Sequence, residues 1–346
     1  MKFNLKTLIV FTVAGFLLSA GGIIVNASDE VVNVYSARKE ALILPILDRF
    51  KEDTGIEFNL VTGKADELLK RIELEGEATP ADLFITVDAG RLYRAKESGV
   101  LQAIPSASIA LAPEHLRDAD NLWVGLSMRA RPIFYALDRV NPDELSTYEQ
   151  LADESWQGRV CIRSSSNIYN QSLLASMIES NGPDMTLEWA TTFVKNFARP
   201  PSGGDTDQIK AVAAGLCDVA IANTYYYGRL AASDKDADNE VAASVGVFWP
   251  NQGDGDRGTH VNVSGGGIVK HSKNAGNAVR LIEYLLTTDS QSWYANVNHE
   301  YPVVPSVPVS SVLEGIGSFR ADDVNMTVLG KNNRKAVELM DKAGWR

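Results

Sequence analysis

The sequence is poor in the residues on which metal and nucleophilic chemistry most often depend. It has four histidines and two cysteines among 346 residues. The histidines, His115, His260, His271 and His299, show no mutual spacing typical of metal ligands. We therefore expect each of them to be a structural or surface residue. No serine–histidine–acid order, cysteine–histidine order or catalytic pair of carboxylates stands out, so the sequence predicts a protein that is not an enzyme.

Positive charge is also scarce. Lysine and arginine number 33 against 44 aspartates and glutamates, which gives a net charge of −11 at pH 7. Such an acidic chain is poorly suited to nucleic acid or to an anionic membrane surface, and we predict neither as a partner. Beyond the N-terminus no segment is apolar over a length that could span a bilayer. No internal repeat or long low-complexity tract is visible.

The N-terminus predicts export. Residues 1–6 are basic, residues 7–25 are apolar and uncharged, and Val25-Asn26-Ala27 has the small-x-small pattern of a cleavage site. We expect a signal peptide over residues 1–27 that is cleaved after Ala27. The alternative is a membrane-anchoring helix, but the apolar stretch is short and contains Gly21-Gly22.

The two cysteines favour a disulfide. Cys161 and Cys217 would both reach an oxidising compartment, where an even number of cysteines usually pairs. The alternative is two buried free thiols.

The rest of the chain, residues 28–346, is long enough for two domains or two lobes. Residues 31–35, 56–61 and 82–87 are apolar runs typical of buried strands, and amphipathic helical patterns separate them. This alternation predicts an α/β protein with a mostly parallel sheet flanked by helices.

A long apolar segment, residues 123–135, is interrupted by Arg129 and Arg131. It fits a crossover between two lobes with its arginines facing a cleft, and it fits an edge strand with solvated arginines equally well. Residues 245–250 are a candidate for the return crossover.

Three consecutive tyrosines follow a short apolar run late in the chain. Residues 218–222 predict a buried strand, and Tyr225, Tyr226 and Tyr227 follow at the edge where open α/β folds bind ligands. A phenol has a reference pKa of about 10, so only a strongly acidic partner would hold several phenolates at neutral pH. That chemistry points to a hard trivalent cation such as ferric iron. The alternatives are half-buried aromatic surface and a stacking platform for a sugar or an ammonium group.

A further tyrosine is expected at the start of a helix. Ser164-Ser165-Ser166-Asn167 supplies helix N-cap residues, and Ile168-Tyr169 opens an apolar helical pattern. The helix dipole and free N–H groups of a first turn favour negative charge, so a phenolate or bound anion is stabilised there. The alternative is an ordinary surface tyrosine.

These features together resemble one protein family. Val34-Tyr35-Ser36-Ala37-Arg38 ends the first strand, and further matching stretches follow in order at residues 61–66, 84–92, 129–132, 163–170 and 223–226. The chain resembles the periplasmic iron(III)-binding proteins, which are the solute-binding components of ABC-type ferric transporters. The likeness covers essentially all of the mature chain and is closest to the branch of cyanobacteria and marine bacteria.

The resemblance implies a fold and a partner. The fold is a two-lobed periplasmic binding protein of type II, an α/β protein with a mixed, mostly parallel sheet in each lobe and a cleft between the lobes. The first lobe would comprise residues 28–128 and 251–303, and the second would comprise residues 129–250 and 304–346. The protein would be a periplasmic monomer that passes iron to an ABC permease and ATPase complex in the inner membrane.

The resemblance also implies a site. Carried over by position, the ferric ligands are Tyr169, Tyr225 and Tyr226. In some relatives a synergistic anion such as carbonate completes the iron shell, and Arg38 and Arg129 match the arginines that hold it. Arg229 matches an arginine beside the tyrosine pair.

One position departs from the family pattern. Close relatives carry His-Tyr just after the Tyr-Ser-x-Arg motif, and that tyrosine is a further ligand, whereas this chain has Lys39-Glu40. Either the Glu40 carboxylate, which is also a hard oxygen donor, ligates the iron, or an anion or water fills the shell.

Two hypotheses compete with iron binding, a second binding function on the same fold and an enzyme, which is another class of protein. The same fold could bind an organic ligand or an oxyanion, with stacking tyrosines and arginines that hold the anion. An exported enzyme on this fold would need an unpaired cysteine in the cleft as its nucleophile.

Overall fold

Two β-sheets divide the polypeptide into two lobes. The structure, a computed structural model, describes residues 30–346. The predicted signal peptide, residues 1–27, therefore lies outside the described residues. Over the described range, no helix combines the length and the apolar character needed to cross a membrane.

The strands and helices of the described residues alternate along most of the chain. The strands are β1 Val31–Ser36, β2 Glu57–Thr62, β3 Leu83–Val87, β4 Leu101–Gln102, β5 Val124–Ala130, β6 Ile133–Ala136, β7 Val160–Cys161, β8 Val219–Ile221, β9 Val245–Phe248 and β10 Val261–Val269. The helices are α1 Leu44–Thr54, α2 Ala65–Glu75, α3 Ala89–Glu97, α4 Ile168–Asn181, α5 Pro183–Phe193, α6 Asp205–Ala213, α7 Thr224–Ala231, α8 Asp236–Ser244, α9 Ala275–Leu285, α10 Thr288–Asn298, α11 Ser311–Gly315, α12 Thr327–Lys331 and α13 Asn333–Ala343.

The first lobe is built on a six-stranded sheet. Its order is β2-β1-β3-β10-β4, and β5 pairs with β10 as well. Every residue of β10 is buried. A Cβ atom at Gly265 or Gly267 would lie 2.5 Å from the carbonyl oxygen of Val124 or Leu122, so glycine at these two positions lets the neighbouring backbone approach closely.

The second lobe is built on a four-stranded sheet with the order β7-β8-β6-β9. In both lobes the sheets are mixed, and they are less parallel than the sequence predicts. β1 runs parallel to β2 and β3, and β7 runs parallel to β8. The strands that lead between the lobes pair antiparallel with their neighbours instead: β10 with β3, β4 and β5, and β6 with β8 and β9.

Two crossovers connect the sheets. The apolar segment 123–135 splits into β5 of the first sheet and β6 of the second, and Pro132 lies between them. The chain returns between β9 and β10. Arg129 and Arg131 are 2% and 1% exposed, so the alternative of an edge strand with solvated arginines is wrong.

The C-terminal part of the chain divides differently from the predicted boundary at residue 304. Val307, Leu313 and Met326 pack into the core of the first lobe. α12 contacts α4 of the second lobe as well as α3 of the first. Apolar side chains of α13 and the residues after it join the core of the second lobe, where Leu339 and Trp345 are buried. Short elements and irregular loops make up residues 304–331, and their scattered apolar residues carry no sequence pattern that reveals which core they join.

A disulfide lies in the second lobe. Cys161 ends β7 and Cys217 precedes β8, which pairs with β7. Their sulfur atoms are 2.08 Å apart and their Cα atoms 5.8 Å apart, so the predicted disulfide is confirmed. The bond also removes the free cysteine that an enzyme hypothesis required.

We expect loss of this bond to destabilise the protein. Replacing Cys161 and Cys217 with alanine should lower the free energy of unfolding by about 4 kcal/mol, because the bond closes a long loop, of sequence separation 56, in the unfolded chain. Urea denaturation of the double variant, compared with oxidised and reduced wild-type protein, measures this. Equal urea midpoints for all three samples would contradict the prediction.

Candidate metal centre

The tyrosine triplet begins a helix at the end of a strand. β8 ends at Ile221, and α7 begins at Thr224, so Tyr225 and Tyr226 lie in the first helical turn. Their ring centroids are 4.4 Å apart. Tyr227 turns away and stacks on Phe134 in the core, with 5.7 Å between ring centroids. The side chains of Tyr225 and Tyr226 therefore lie together, whereas that of Tyr227 does not join them.

Tyr169 approaches the same place from another helix. It lies in the first turn of α4, where the side-chain oxygen of the N-cap residue Asn167 accepts a hydrogen bond from its backbone N–H at 3.1 Å. The hydroxyl of Tyr225 donates to the hydroxyl oxygen of Tyr169 at 3.1 Å. The three predicted tyrosine ligands thus meet where the N-termini of α4 and α7 converge.

A buried ion network holds these two helix ends together. The Asp205 carboxylate accepts hydrogen bonds from Arg131 at 2.9 Å, from Arg163 at 3.2 Å and from the backbone N–H of Asn223 at 2.8 Å. Arg131 also donates to the side-chain oxygens of Asn223 at 2.9 Å and of Asn170 at 2.6 Å. One carboxylate and one arginine therefore fix the residue before α7 against the first turn of α4.

Sequence reasoning missed Asp205 as part of the site and placed Arg131 only as an arginine that could face a cleft. Asp205 is the first residue of α6, where an acidic residue is common whether or not it is a buried counter-ion. That Arg131 is buried beside it depends on the crossover geometry, which no local pattern specifies.

Cations also surround the aromatic rings. Three guanidinium groups lie between 5.5 and 5.9 Å from the ring centroid of Tyr169. They belong to Arg129, Arg131 and Arg163. Arg229 lies 4.9 Å from the ring centroid of Tyr225 and 5.7 Å from that of Tyr226. Nearby positive charge favours the ionised form of a phenol, so these arginines can support phenolates.

Without a bound cation the phenols of Tyr225 and Tyr226 nevertheless stay protonated. Burial, followed by the repulsion that an ionised Tyr169 would exert, raises the pKa of Tyr226 to about 12 and that of Tyr225 well above its usual range. Arg129 opposes the shift at Tyr225, and Arg163 opposes it at Tyr226. A ligand that needs phenolates must therefore displace protons.

The tyrosines form one wall of a cavity of about 610 Å³ between the lobes. The first lobe contributes Ala37, Arg38, Lys39, Leu42, Gly63, Lys64, Ala65, Asp66, Val87, Arg91 and Glu300. The second lobe contributes Arg163, Tyr169, Tyr225, Tyr226 and Arg229. Cationic side chains outnumber the two carboxylates, Asp66 and Glu300, so the cavity suits a ligand with negative charge.

Arg38 lies in the first-lobe wall but already has an anionic partner. One of its guanidinium nitrogens is 3.0 Å from a Glu300 carboxylate oxygen, and both side chains are buried. Burial lowers the pKa of Arg38, but Glu300, Tyr294 and Tyr225 together outweigh that effect, and the pKa is raised. The sequence gives no sign of this pair, because the two residues are distant in the chain.

Arg129 differs from Arg38 because it has no carboxylate within hydrogen-bond distance. Its Nη2 atom is buried without a hydrogen-bond partner and lies 3.9 Å from the Asp88 carboxylate. Arg129 does not line the cavity itself, but its guanidinium lies 5.5 Å from the ring centroid of Tyr169, which does.

The structure does not bring Glu40 to the tyrosines. Glu40 is exposed at the start of a 3-10 turn, Glu40–Leu42, and is not part of the cavity wall, whereas Lys39 is. No group of three or more histidine, cysteine, aspartate or glutamate side chains that could hold a metal occurs in residues 30–346. A metal at this site would depend on phenol oxygens, which are hard ligands.

Comparison with known proteins finds relatives that match nearly the whole chain. Residues 46–314 match the family model described as bacterial extracellular solute-binding protein. The chain is 48% identical over 316 residues to iron uptake protein A1 of Synechocystis sp., which covers 91% of this chain and 87% of that protein.

Solved structures of other proteins also resemble this chain over most of its length. The Trichodesmium protein IdiA (FutA), in complex with iron and citrate ligands, superposes with a TM-score of 0.87 at 51% identity, covering 91% of this chain and 100% of that one. The ferric binding protein from Campylobacter jejuni gives a TM-score of 0.86 at 37% identity, covering 91% and 100%. The predicted fold, a two-lobed type II periplasmic binding protein, is confirmed.

Removing the charge of Asp205 should destabilise the iron-free protein. Asp205→Asn leaves Arg131 buried without its counter-ion, which costs about 3–5 kcal/mol of unfolding free energy. Urea denaturation measures the loss. Asp138→Asn is the matched control, because Asp138 pairs with Arg139 on the surface with its side chain 73% exposed, where an ion pair contributes about 0–1 kcal/mol. Equal losses in the two variants would contradict the role of Asp205.

Proposed function

The chain belongs to the family of bacterial extracellular solute-binding proteins, and on that premise we propose that it binds ferric iron in its interlobe cleft. The ligands are the phenolate oxygens of Tyr169, Tyr225 and Tyr226. The observation that carries the proposal is the meeting of these three phenols at two helix N-termini, with a hydrogen bond of 3.1 Å between two of the hydroxyls. Phenolate is a hard ligand, and three phenolates balance the charge of a ferric ion.

An anion completes the iron shell in this proposal. Iron with three phenolates is neutral, yet the cavity still presents the cations Lys39, Lys64, Arg91, Arg163 and Arg229. The unpartnered Nη2 of Arg129 is the first proposed contact for the anion. Arg38 is the second, although it must then share its guanidinium with Glu300.

The anion can be carbonate or a small carboxylate. The cavity volume of about 610 Å³ leaves room for either beside a metal ion. The relative from Trichodesmium, whose structure contains iron and citrate, favours a carboxylate. Direct ligation by Glu40 stays the alternative, and it would require the exposed turn Glu40–Leu42 to move into the cleft.

The transport role follows from the family and its relatives. We propose a periplasmic protein, released by cleavage after Ala27, that carries iron as a monomer to an ABC permease and ATPase complex in the inner membrane. Closure of the lobes around the ion would give the permease a shape to recognise.

A second candidate function is the binding of an organic anion without a metal. The observation that favours it is the size and positive charge of the cavity, which exceed what a bare ion requires. In that case the tyrosine rings would stack on the ligand and the hydroxyls would remain protonated.

Colour distinguishes the two candidates. Addition of a ferric chelate to the purified iron-free protein should produce a visible tyrosinate-to-iron band, and Tyr226→Phe should weaken or abolish it because one phenolate is lost. Tyr227→Phe is the matched control, since that ring belongs to the same triplet but packs on Phe134. A colourless wild-type protein, or equal bands in the two variants, would contradict the proposed site.

Proton release gives an independent test. A phenol has a reference pKa of about 10, and burial raises the pKa of Tyr225 and Tyr226 further. Each phenolate that forms on iron therefore releases one proton. We expect about three protons per ferric ion from the wild-type protein and about one fewer from Tyr226→Phe. Binding must therefore weaken as pH falls. A pH-stat titration, corrected for the chelate, measures the count, and a value near zero would rule out phenolate ligation.

A further inference from the structure

Asp88 is a buried carboxylate in a strained backbone conformation between the lobes. It follows β3 and caps α3, and its side chain has no exposed surface. Its φ of 88° and ψ of 122° are rare for a residue other than glycine. Such strain persists only where the surrounding structure enforces it, and it is commonest at functional sites.

Both carboxylate oxygens of Asp88 accept hydrogen bonds, and the single Ser172 hydroxyl lies within hydrogen-bond distance of both. One oxygen accepts hydrogen bonds from the backbone N–H of Gly90 at 2.8 Å and from the Ser172 hydroxyl at 3.0 Å. The other accepts from Ser172 at 2.8 Å and from the Asn262 amide at 2.9 Å. Arg129 remains 3.9 Å away, which is too long for a hydrogen bond.

Ser172 links this carboxylate to the tyrosine site. It lies on α4 of the second lobe, three residues after Tyr169, so the two side chains share one face of that helix. Asp88 and Asn262 belong to the first lobe, and in the β5–β10 ladder Asn262 lies opposite Arg129. The contact from Ser172 to Asp88 therefore joins the lobes at the base of the cleft.

From this geometry we infer that Asp88 is a positioning residue for the metal site. This role of Asp88 rests on the proposed function. Its hydrogen bonds with Ser172 fix the start of α4, and therefore Tyr169, relative to the first lobe. Because Ser172 and Asn262 occupy the carboxylate, the Nη2 atom of Arg129 is left without a hydrogen-bond partner, while its Nη1 atom donates to the Ser264 hydroxyl at 3.5 Å. The guanidinium stays beside the Tyr169 ring, 5.5 Å from its centroid.

Loss of the Ser172 hydroxyl should have two linked effects. The first turn of α4 loses its tie to the first lobe, and Asp88 gains vacant acceptor sites. Arg129 can then close its gap of 3.9 Å to Asp88 and withdraw from Tyr169. The Tyr169 phenolate would lose a neighbouring positive charge and its fixed position together.

The test compares Ser172→Ala with Ser290→Ala. Ser290 is an equally buried helical serine in the first lobe, whose hydrogen bonds stay within its own helix N-terminus. Iron release to a competing chelator should be about tenfold faster, or more, in Ser172→Ala, the factor for losing one hydrogen bond to a charged acceptor. Its tyrosinate-to-iron band should also shift, whereas Ser290→Ala keeps both the rate and the band of wild type.

Circular dichroism confirms that each variant is folded. A difference confined to thermal stability, with equal release rates and equal bands for the two serine variants, would overturn the inference. Failure of the wild-type protein to bind iron at all would instead contradict the proposed function, so the two failures are distinguishable.

Discussion

The site depends on one constraint: three phenol groups must be held close together in a partly buried position while no metal is bound. Burial raises the pKa of Tyr225 and Tyr226, and the three rings stay together only if the helix ends that carry them are held in place. The Arg131–Asp205 pair holds these helix ends, because it ties the residue before α7 to the first turn of α4. The helix N-termini add a favourable field for the negative charge that appears once a cation enters.

The two lobes contribute unequal chemistry. The second lobe supplies oxygen donors, whereas the first supplies mainly cations at Arg38, Lys39, Lys64 and Arg91, with its Glu300 carboxylate already paired. Lys39 and Glu40 add to this division, because Lys39 places a cation in the cavity wall and the Glu40 carboxylate lies outside it. A first lobe of this kind favours an anion as the bridge between the lobes.

Much of this arrangement could be predicted from sequence, and the reasons are local. Apolar periodicity located β1, β2 and β3 and the helices between them, and N-cap residues placed Tyr169 in a first helical turn. The disulfide followed from two cysteines and an export signal. Residues whose roles depend on distant partners could not be found in this way. The role of Glu300 depends on its ion pair with Arg38, which is distant in the chain. The lobe to which residues 304–331 belong depends on which core their isolated apolar side chains reach.

The central claim is that phenolate oxygens of the second lobe hold a ferric ion in the cleft. A crystal structure of the iron-loaded protein, with anomalous scattering recorded at the iron edge, tests it most directly. The account predicts a single iron peak within bonding distance of the hydroxyl oxygens of Tyr169, Tyr225 and Tyr226, with the remaining positions filled from outside these three residues. An iron peak away from these oxygens, or a cleft that holds only an organic anion after iron loading, would contradict it.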